Sequence, residues 1–308
     1  MEAFQKESAM QMAIAGINFD VRCQHPLSAE RLPGAYRQFI KEASPLGTDI
    51  NVIVRIETGT MPDTGQMTKI FDTGQSWSMF RRNNDYILSL NIPTADGQAI
   101  WLAAFDSHCS NISIYCSDLL MNKEKGLTTF ATPLCYPLDQ LLLMHILAGK
   151  SGALLHAAGL GMDNRGYIFP GSSGAGKSTL SRLLLGRDGA QMLSDDRMII
   201  RKIDGKFRAF GTPWAGDAAI AENRSVLLDR IFYIHHAETN RVKELKPQEA
   251  VERLMPVTSI PWYDEKAIQD MLAFCGDLAL NIPAYELYFR PDHNVVTFLE
   301  DFVCRNNI

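Results

Sequence analysis

The chain has 308 residues, enough for one large domain or two of ordinary size. Its 46% hydrophobic and 21% charged residues are typical of a globular protein, and a formal net charge of −5 without a long Lys/Arg run argues against a nucleic-acid partner. The first residues lack a secretion signal, and the strongly apolar stretch near residues 141–148 is too short to cross a bilayer. We therefore expect a cytoplasmic protein with neither a membrane nor a nucleic-acid partner.

The cysteine pattern agrees with this compartment. The chain has six cysteines and no C-x-x-C pair, so we expect reduced, mostly buried thiols rather than a disulfide framework or a zinc site.

The first 135 residues are rich in predicted strands and carry no catalytic motif. Turn-forming residues separate the strands, and one helix near residues 34–43 interrupts them. This pattern predicts a β-rich or mixed N-terminal module over residues 1–135. The predicted strands cover residues 13–21, 50–57, 86–92, 99–105 and 111–116.

Residues 136–308 mix helices and strands, which predicts a second domain of the α/β class. A helix over 136–148 precedes a hairpin of residues 154–160 and 166–169. A glycine-rich loop and its helix follow, and Asp204-Gly205 indicates a further hairpin. The remaining predicted strands cover 227–235 and 285–289, and the remaining helices cover 247–255, 264–279 and 294–304.

The glycine-rich loop, residues 171–178, reads Gly-Ser-Ser-Gly-Ala-Gly-Lys-Ser, a complete G-x-x-x-x-G-K-S motif between a short apolar strand and a helix. Its glycines permit positive φ, so that successive N–H groups can surround a phosphate at the helix N-terminus. Lys177 can reach the β and γ phosphates, and the Ser178 hydroxyl can ligate Mg²⁺. The motif predicts binding of ATP and Mg²⁺. The predicted nucleotide contacts are Gly171, Ser173, Gly174, Ala175, Gly176, Lys177, Ser178 and Thr179.

A pair of carboxylates, Asp195 and Asp196, closes the next short apolar run. A carboxylate at a strand end beside the loop suits Mg²⁺, which prefers oxygen ligands, and a second one can accept a hydroxyl proton. We predict Asp195 as the general base and Asp196 as the metal ligand together with Ser178. The residues by themselves also allow the reverse assignment.

Two further elements each have two interpretations. His156 stands in an apolar strand and is either a packed core residue or a functional one. The Gly/Pro-rich segment 210–217 either lines the pocket of a phosphoryl acceptor or forms an ordinary packed turn.

Residues 136–308 resemble the catalytic domain of HPr kinase/phosphorylase. The resemblance rests on three motifs in this order: His156, the glycine-rich loop and the Asp195-Asp196 pair. The resemblance implies an α/β, phosphoenolpyruvate-carboxykinase-like P-loop domain with a mixed sheet, here preceded by a β-rich or mixed module. It also implies that His156 lies near the transferred phosphate and is catalytic together with Asp195 and Lys177. The E-[IV]-R-G-x-G stretch of true HPr kinases is absent, and residues 211–216 are similar to the broader group of HPr-kinase-related proteins.

The chain is thus predicted to be an ATP-dependent kinase that phosphorylates a hydroxyl, either of a protein or peptide Ser or of a small molecule. An arginine would help to neutralise charge; the candidates are Arg197, Arg224 and Arg290. The alternative is a nucleotide-binding switch or ATPase with a regulatory or scaffold role, which would not need both carboxylates and His156. A motor-type ATPase is disfavoured because no long hydrophobic strand ends in Asp-Glu. The oligomeric state stays open, a homo-oligomer included.

Overall fold

The structure, a computed structural model, describes residues 8–40, 50–90, 99–124, 127–130, 132–171, 174–185, 187 and 189–305. The chain divides into two compact units, Met1–Ile146 and Leu147–Ile308. The division falls inside the helix predicted for residues 136–148, whereas the predicted domain boundary precedes that helix. Most of this helix therefore lies with the first unit.

Unit 1 is built on a mixed sheet. In the described part of the chain the sheet has eight strands in the order β1-β2-β3-β8-β7-β6-β5-β4, and β3 runs parallel to both β2 and β8. A separate hairpin joins β9 to β10. The elements are β1 (Ser8–Ile14), β2 (Ile17–Cys23), β3 (Ile50–Thr58), β4 (Thr68–Asp72), β5 (Trp77–Arg82), β6 (Asp85–Leu90), β7 (Trp101–Asp106), β8 (Asn111–Cys116), β9 (Met121–Glu124), β10 (Leu127–Phe130) and α1 (Leu138–Ala148).

The single strand predicted over residues 13–21 is wrong. The chain reverses at Ala15 and Gly16, whose φ values are 54° and 71°, so the segment forms the hairpin of β1 and β2. Positive φ at both turn residues matches the twist of paired strands, but Ala is not a residue that signals such a turn. Strands β4 and β5 were not predicted either. The helix near 34–43 is a 3-10 helix over Gly34–Phe39, and residues 41–43 and 91–92 lie outside the described residues.

Unit 2 is a second mixed α/β unit. Over the described residues its eight-stranded sheet has the order β12-β11-β14-β15-β16-β18-β17, and β13 also pairs with β11. Because β12 pairs with both β11 and β16, five of these strands close into a ring. The elements are β11 (Gly152–Met162), β12 (Arg165–Pro170), α2 (Lys177–Leu185), β13 (Gln191–Ser194), β14 (Arg197–Ile203), β15 (Lys206–Phe210), β16 (Ser225–His236), β17 (Arg241–Glu244), α3 (Pro247–Leu254), α4 (Glu265–Asn281), β18 (Ala284–Phe289) and α5 (Asn294–Arg305).

Two hydrophobic cores lie on opposite faces of the unit 2 sheet. Residues of α3 and α4 belong to one core and residues of α2 and α5 to the other. Strand β11 contributes side chains to both cores, because successive side chains of a strand point to opposite faces of the sheet. Leu155 and Ala157 pack in the α3/α4 core, and Ala158 and Leu160 pack in the α2/α5 core. His156 consequently lies on the α2 side of the sheet.

Most predicted elements of this half are confirmed. The predicted hairpin is β11 and β12, which turn at Asp163 and Asn164 with positive φ at both, and the predicted helices after residue 246 correspond to α3, α4 and α5. Strand β17 was not predicted. None of the helices in the described part of the chain combines the length and apolar character needed to span a bilayer.

Candidate functional site

Strand pairing brings together three segments that are far apart in the sequence. Strand β12 leads into the glycine-rich loop, and β11 lies between β12 on one edge and β13 on the other. Backbone bonds join the ends: the Gly171 N–H donates to the His156 carbonyl at 3.2 Å, and the Ala157 N–H donates to the Asp196 carbonyl at 3.0 Å. His156, the loop and the Asp pair therefore meet at one end of the sheet.

The loop has the backbone conformation that its glycines predict. Gly174 and Gly176 have φ values of 82° and 99°, a region that L side chains rarely adopt. A Cβ atom at position 176 would also lie 2.7 Å from Nε2 of His236. Helix α2 begins at Lys177, so the loop ends at a helix N-terminus, where N–H groups are available to an anion. Ser173, a predicted nucleotide contact, lies outside the described residues.

Lys177 points back into the loop. Its Nζ donates to the Gly171 carbonyl at 2.7 Å and lies 2.9 Å from Nε2 of His156. The side chain is buried, and this burial lowers the pKa of Lys177 below its ordinary value of 10.5. The ammonium group is thus desolvated and held by groups that a phosphate oxygen could replace.

His156 joins Lys177 to Asp196. Its Nε2 lies 2.9 Å from Oδ1 of Asp196, and the same nitrogen faces Lys177. Nε2 can accept from the ammonium group or donate to the carboxylate, but it cannot do both at once. The hydrogen bond from His156 lowers the pKa of Asp196, and the charges of Arg197 and Lys177 act in the same direction against burial. Asp196 is therefore held as a carboxylate.

Asp195 has a different environment from its neighbour. It is 2% exposed, and its carboxylate accepts N–H bonds from Gly216 at 2.8 Å, Ala218 at 2.6 Å and Ile220 at 3.3 Å. These three bonds occupy both oxygens. The geometry therefore places Asp195 as the support of a loop and leaves Asp196 as the carboxylate beside His156.

A cavity of about 430 Å³ opens over this cluster. Of the predicted site residues, Gly171 and Ala175 do not line it. Its lining residues are His156, Gly174, Gly176, Lys177, Ser178, Thr179, Asp195, Asp196, Gly216, Asp217 and His236. Gly216 and Asp217 come from the Gly/Pro-rich segment 210–217, which favours the pocket-lining interpretation of that segment over an ordinary packed turn.

His236 was missed by the sequence reasoning. It ends β16, which runs parallel to β12, so the carboxyl ends of both strands lie at the same edge of the sheet. Its ring packs 5.2 Å from that of Phe289 and beside Gly176. Ligands bind outside the carboxyl ends of parallel strands. That signal could have identified His236 only if the β12–β16 pairing had been known.

The donor set fits Mg²⁺ to a limited degree. No group of three or more His, Cys, Asp or Glu side chains within the described residues could hold a metal ion by itself. The Ser178 hydroxyl and the Asp196 carboxylate line the same cavity. This is compatible with Mg²⁺, which usually takes one or two protein oxygens and completes its shell with phosphate oxygens and water.

Of the three candidate arginines, Arg197 lies at the site. Its Nη1 is 3.6 Å from Oδ2 of Asp196. Arg224 instead donates to Gln191, and Arg290 pairs with Asp292 on the surface.

Comparison with known proteins gives little further information. No protein-family model matches the sequence, and no curated protein sequence is similar to it. Among solved structures, one similar chain is the Hpr(Ser) kinase/phosphatase from Coxiella burnetii, with a TM-score of 0.28 and 15% sequence identity over 49% of this chain and 94% of that chain. This is a distant structural relationship, and no function follows from it.

Proposed function

We propose that this protein is a kinase that moves the γ-phosphoryl group of ATP to a hydroxyl group. One observation carries the proposal: Nε2 of His156 contacts both Lys177, at the start of α2, and Asp196, in a cavity that the glycine-rich loop also lines. A module that only binds nucleotide needs the loop. It does not need a carboxylate that is paired with an imidazole beside that loop.

The loop and Lys177 would bind the phosphates. The residues at the start of α2 line the cavity, and Lys177 would exchange the Gly171 carbonyl for an oxygen of the β or γ phosphate. Mg²⁺, held by Ser178, would neutralise charge on the phosphates when it is bound. When Lys177 moves to the phosphate, Nε2 of His156 no longer faces the ammonium group. In the tautomer that carries its proton on Nε2, His156 then donates a hydrogen bond to the Asp196 carboxylate, which stays ionised.

Asp196 would accept the proton of the acceptor. The acceptor oxygen forms a bond to the γ-phosphorus, the bond from that phosphorus to the ADP oxygen breaks, and the hydroxyl proton passes to the Asp196 carboxylate. His156 fixes the orientation of that carboxylate, and Arg197 adds positive charge beside it. This assignment reverses the role first predicted for the Asp pair, because the oxygens of Asp195 are engaged by the 216–220 backbone.

The test measures ADP release from ATP·Mg²⁺ with fractions of a native extract, together with mass spectrometry for a product that has gained one phosphate. We expect slow release without an acceptor and faster release with the fraction that contains it. Asp196→Asn keeps the shape but removes the basicity, so turnover should fall by about 10²–10⁴ while ATP affinity stays within a few-fold. Asp301→Asn, a change on the exposed face of α5, is the matched control.

Two results would contradict this proposal. Rapid hydrolysis in every fraction, with no phosphorylated product, would favour the nucleotide-binding switch. A change in the Mg²⁺ dependence of ATP binding in Asp196→Asn, with unchanged turnover at saturating Mg²⁺, would make Asp196 a metal ligand instead of the base.

A further inference from the structure

The segment 211–222, called here the clamped loop, is closed at its base. The Gly211 N–H donates to the Arg224 carbonyl at 3.0 Å, and the Glu222 N–H donates to the Leu193 carbonyl at 2.9 Å. A Cβ atom at position 211 would overlap the Glu222 carbonyl oxygen, so only glycine permits this approach. The two ends of the loop are therefore held together beside strand β13.

The middle of the clamped loop is held by Asp195. Its carboxylate accepts the N–H groups of Gly216, Ala218 and Ile220, the residues that flank Asp217. Position 216 is tight as well, since a Cβ atom there would lie 3.0 Å from both Oδ2 of Asp195 and Cβ of Asp196. The backbone on both sides of Asp217 is thus tied to the strand end that carries Asp196.

Asp217 lines the cavity with a carboxylate that is open to solvent. Its side chain is exposed, and within the described part of the chain its carboxylate has no hydrogen-bond or ion-pair partner. The other charged groups of the cavity have assigned contacts: Lys177 faces the phosphate side, Asp195 holds the loop and Asp196 pairs with His156. A carboxylate that is presented by a fixed backbone and has no partner among the described residues is suited to a charged ligand group.

We infer that Asp217 binds a positively charged nitrogen of the acceptor, so that the acceptor is a hydroxyl compound that carries an ammonium or guanidinium group near that hydroxyl. This inference rests on the proposed function. Asp196 would take the hydroxyl proton, and Asp217 would hold the cation on the side of the cavity formed by the clamped loop. A neutral alcohol would offer the Asp217 carboxylate no opposite charge, whereas a second anion would be repelled.

The test uses pairs of hydroxyl compounds that differ in one positive charge. The small-molecule arm compares L-serinamide with N-acetyl-L-serinamide, and the peptide arm compares N-acetyl-Lys-Ser-Gln amide with N-acetyl-Gln-Ser-Gln amide. KM and kcat for each are measured at saturating ATP·Mg²⁺, with the phosphorylated product identified by mass spectrometry. We expect the charged member of at least one pair to have a KM lower by roughly tenfold, and the preferred arm distinguishes a small amino alcohol from a basic peptide.

Asp217→Asn should abolish this preference by raising KM for the charged member, with kcat and ATP affinity little changed. Asp204→Asn, at an exposed turn of β14 and β15, is the matched control. The inference is overturned if the neutral members bind equally well, if the preference survives in Asp217→Asn, or if that variant alters the Mg²⁺ dependence of ATP binding. It is also overturned if no probe is phosphorylated while an extract fraction yields a phosphorylated product, a result that leaves the kinase proposal intact. No phosphorylated product from either source would instead reject the kinase proposal itself.

Discussion

The two walls of the cavity are built in different ways. The phosphate wall, named for its proposed role, comprises Gly171, residues 174–178 and the start of α2, which are close in the sequence, and Gly174 and Gly176 have the positive φ that glycine permits. The acceptor wall, also named for its proposed role, consists of Asp195, Asp196 and the clamped loop. Hydrogen bonds between residues separated in the sequence join the loop to Asp195. A wall of the first kind is encoded locally, whereas one of the second kind exists only in the folded protein.

The adjacent aspartates show what this difference means for function. Asp195 is buried, and three backbone N–H groups surround its carboxylate, whereas the side chain of Asp196 is 33% exposed and faces His156. Two residues of identical chemistry thus have different surroundings: Asp195 supports the clamped loop, and Asp196 is the one to which we assign the proposed reaction. The following changes should affect one wall without the other.

The largest effect is expected from Lys177→Ala on the phosphate wall. The change removes the buried ammonium group that faces the Gly171 carbonyl and His156, so ATP affinity should fall by about 10²-fold or more while the fold is retained. Isothermal titration with ATP·Mg²⁺ measures this, and Lys150→Ala, an exposed lysine after α1, is the control. Unchanged affinity would show that the loop does not bind phosphate.

In the acceptor wall, Asp195→Ala should lower the stability of the folded protein. Three buried N–H groups lose their acceptor, so the free energy of unfolding should fall by about 3 kcal/mol, with a smaller loss for Asp195→Asn, which keeps one oxygen. Urea unfolding measures both variants, and Asp196→Ala should cost less because that side chain is half-buried. ATP affinity should change little in Asp195→Ala. A large loss of ATP affinity with unchanged stability would assign Asp195 to the nucleotide.

Within the phosphate wall, two glycines provide an internal comparison. Gly176→Ala combines a positive φ with a Cβ atom 2.7 Å from Nε2 of His236, and should lower ATP affinity by roughly tenfold. Gly174→Ala has a similar φ but open space around the new atom, so its effect should be several-fold smaller. Isothermal titration ranks the two variants. Equal losses would mean that backbone strain, not the approach of His236, decides the conformation.

The smallest effect is a change of ATP affinity with pH. Burial lowers the pKa of Lys177, so the ammonium charge is lost as pH rises at a lower value than the ordinary 10.5. ATP affinity should therefore decline by a few-fold on the alkaline side below pH 10.5 and be flat near neutrality. Titration calorimetry of the wild type and Lys177→Ala between pH 7 and 10 checks this, since the decline should vanish in the variant. A decline that persists in Lys177→Ala would point to another group.

The sequence by itself determined the features that depend on neighbouring residues. The glycine pattern of 171–178 determines where φ can be positive, and the Asp163-Asn164 and Asp204-Gly205 turns mark two hairpins, because these effects act over a few bonds. The turn at Ala15-Gly16 escaped prediction because Ala carries no such signal. Only the tertiary structure decided that β12 pairs with β16, which brings His236 to the loop, and that Asp195 rather than Asp196 holds the clamped loop. The physical reason is that these contacts are hydrogen bonds between residues far apart in the sequence. The fold alone brings the backbone N–H groups of the clamped loop within reach of one carboxylate of the pair, and that carboxylate becomes buried.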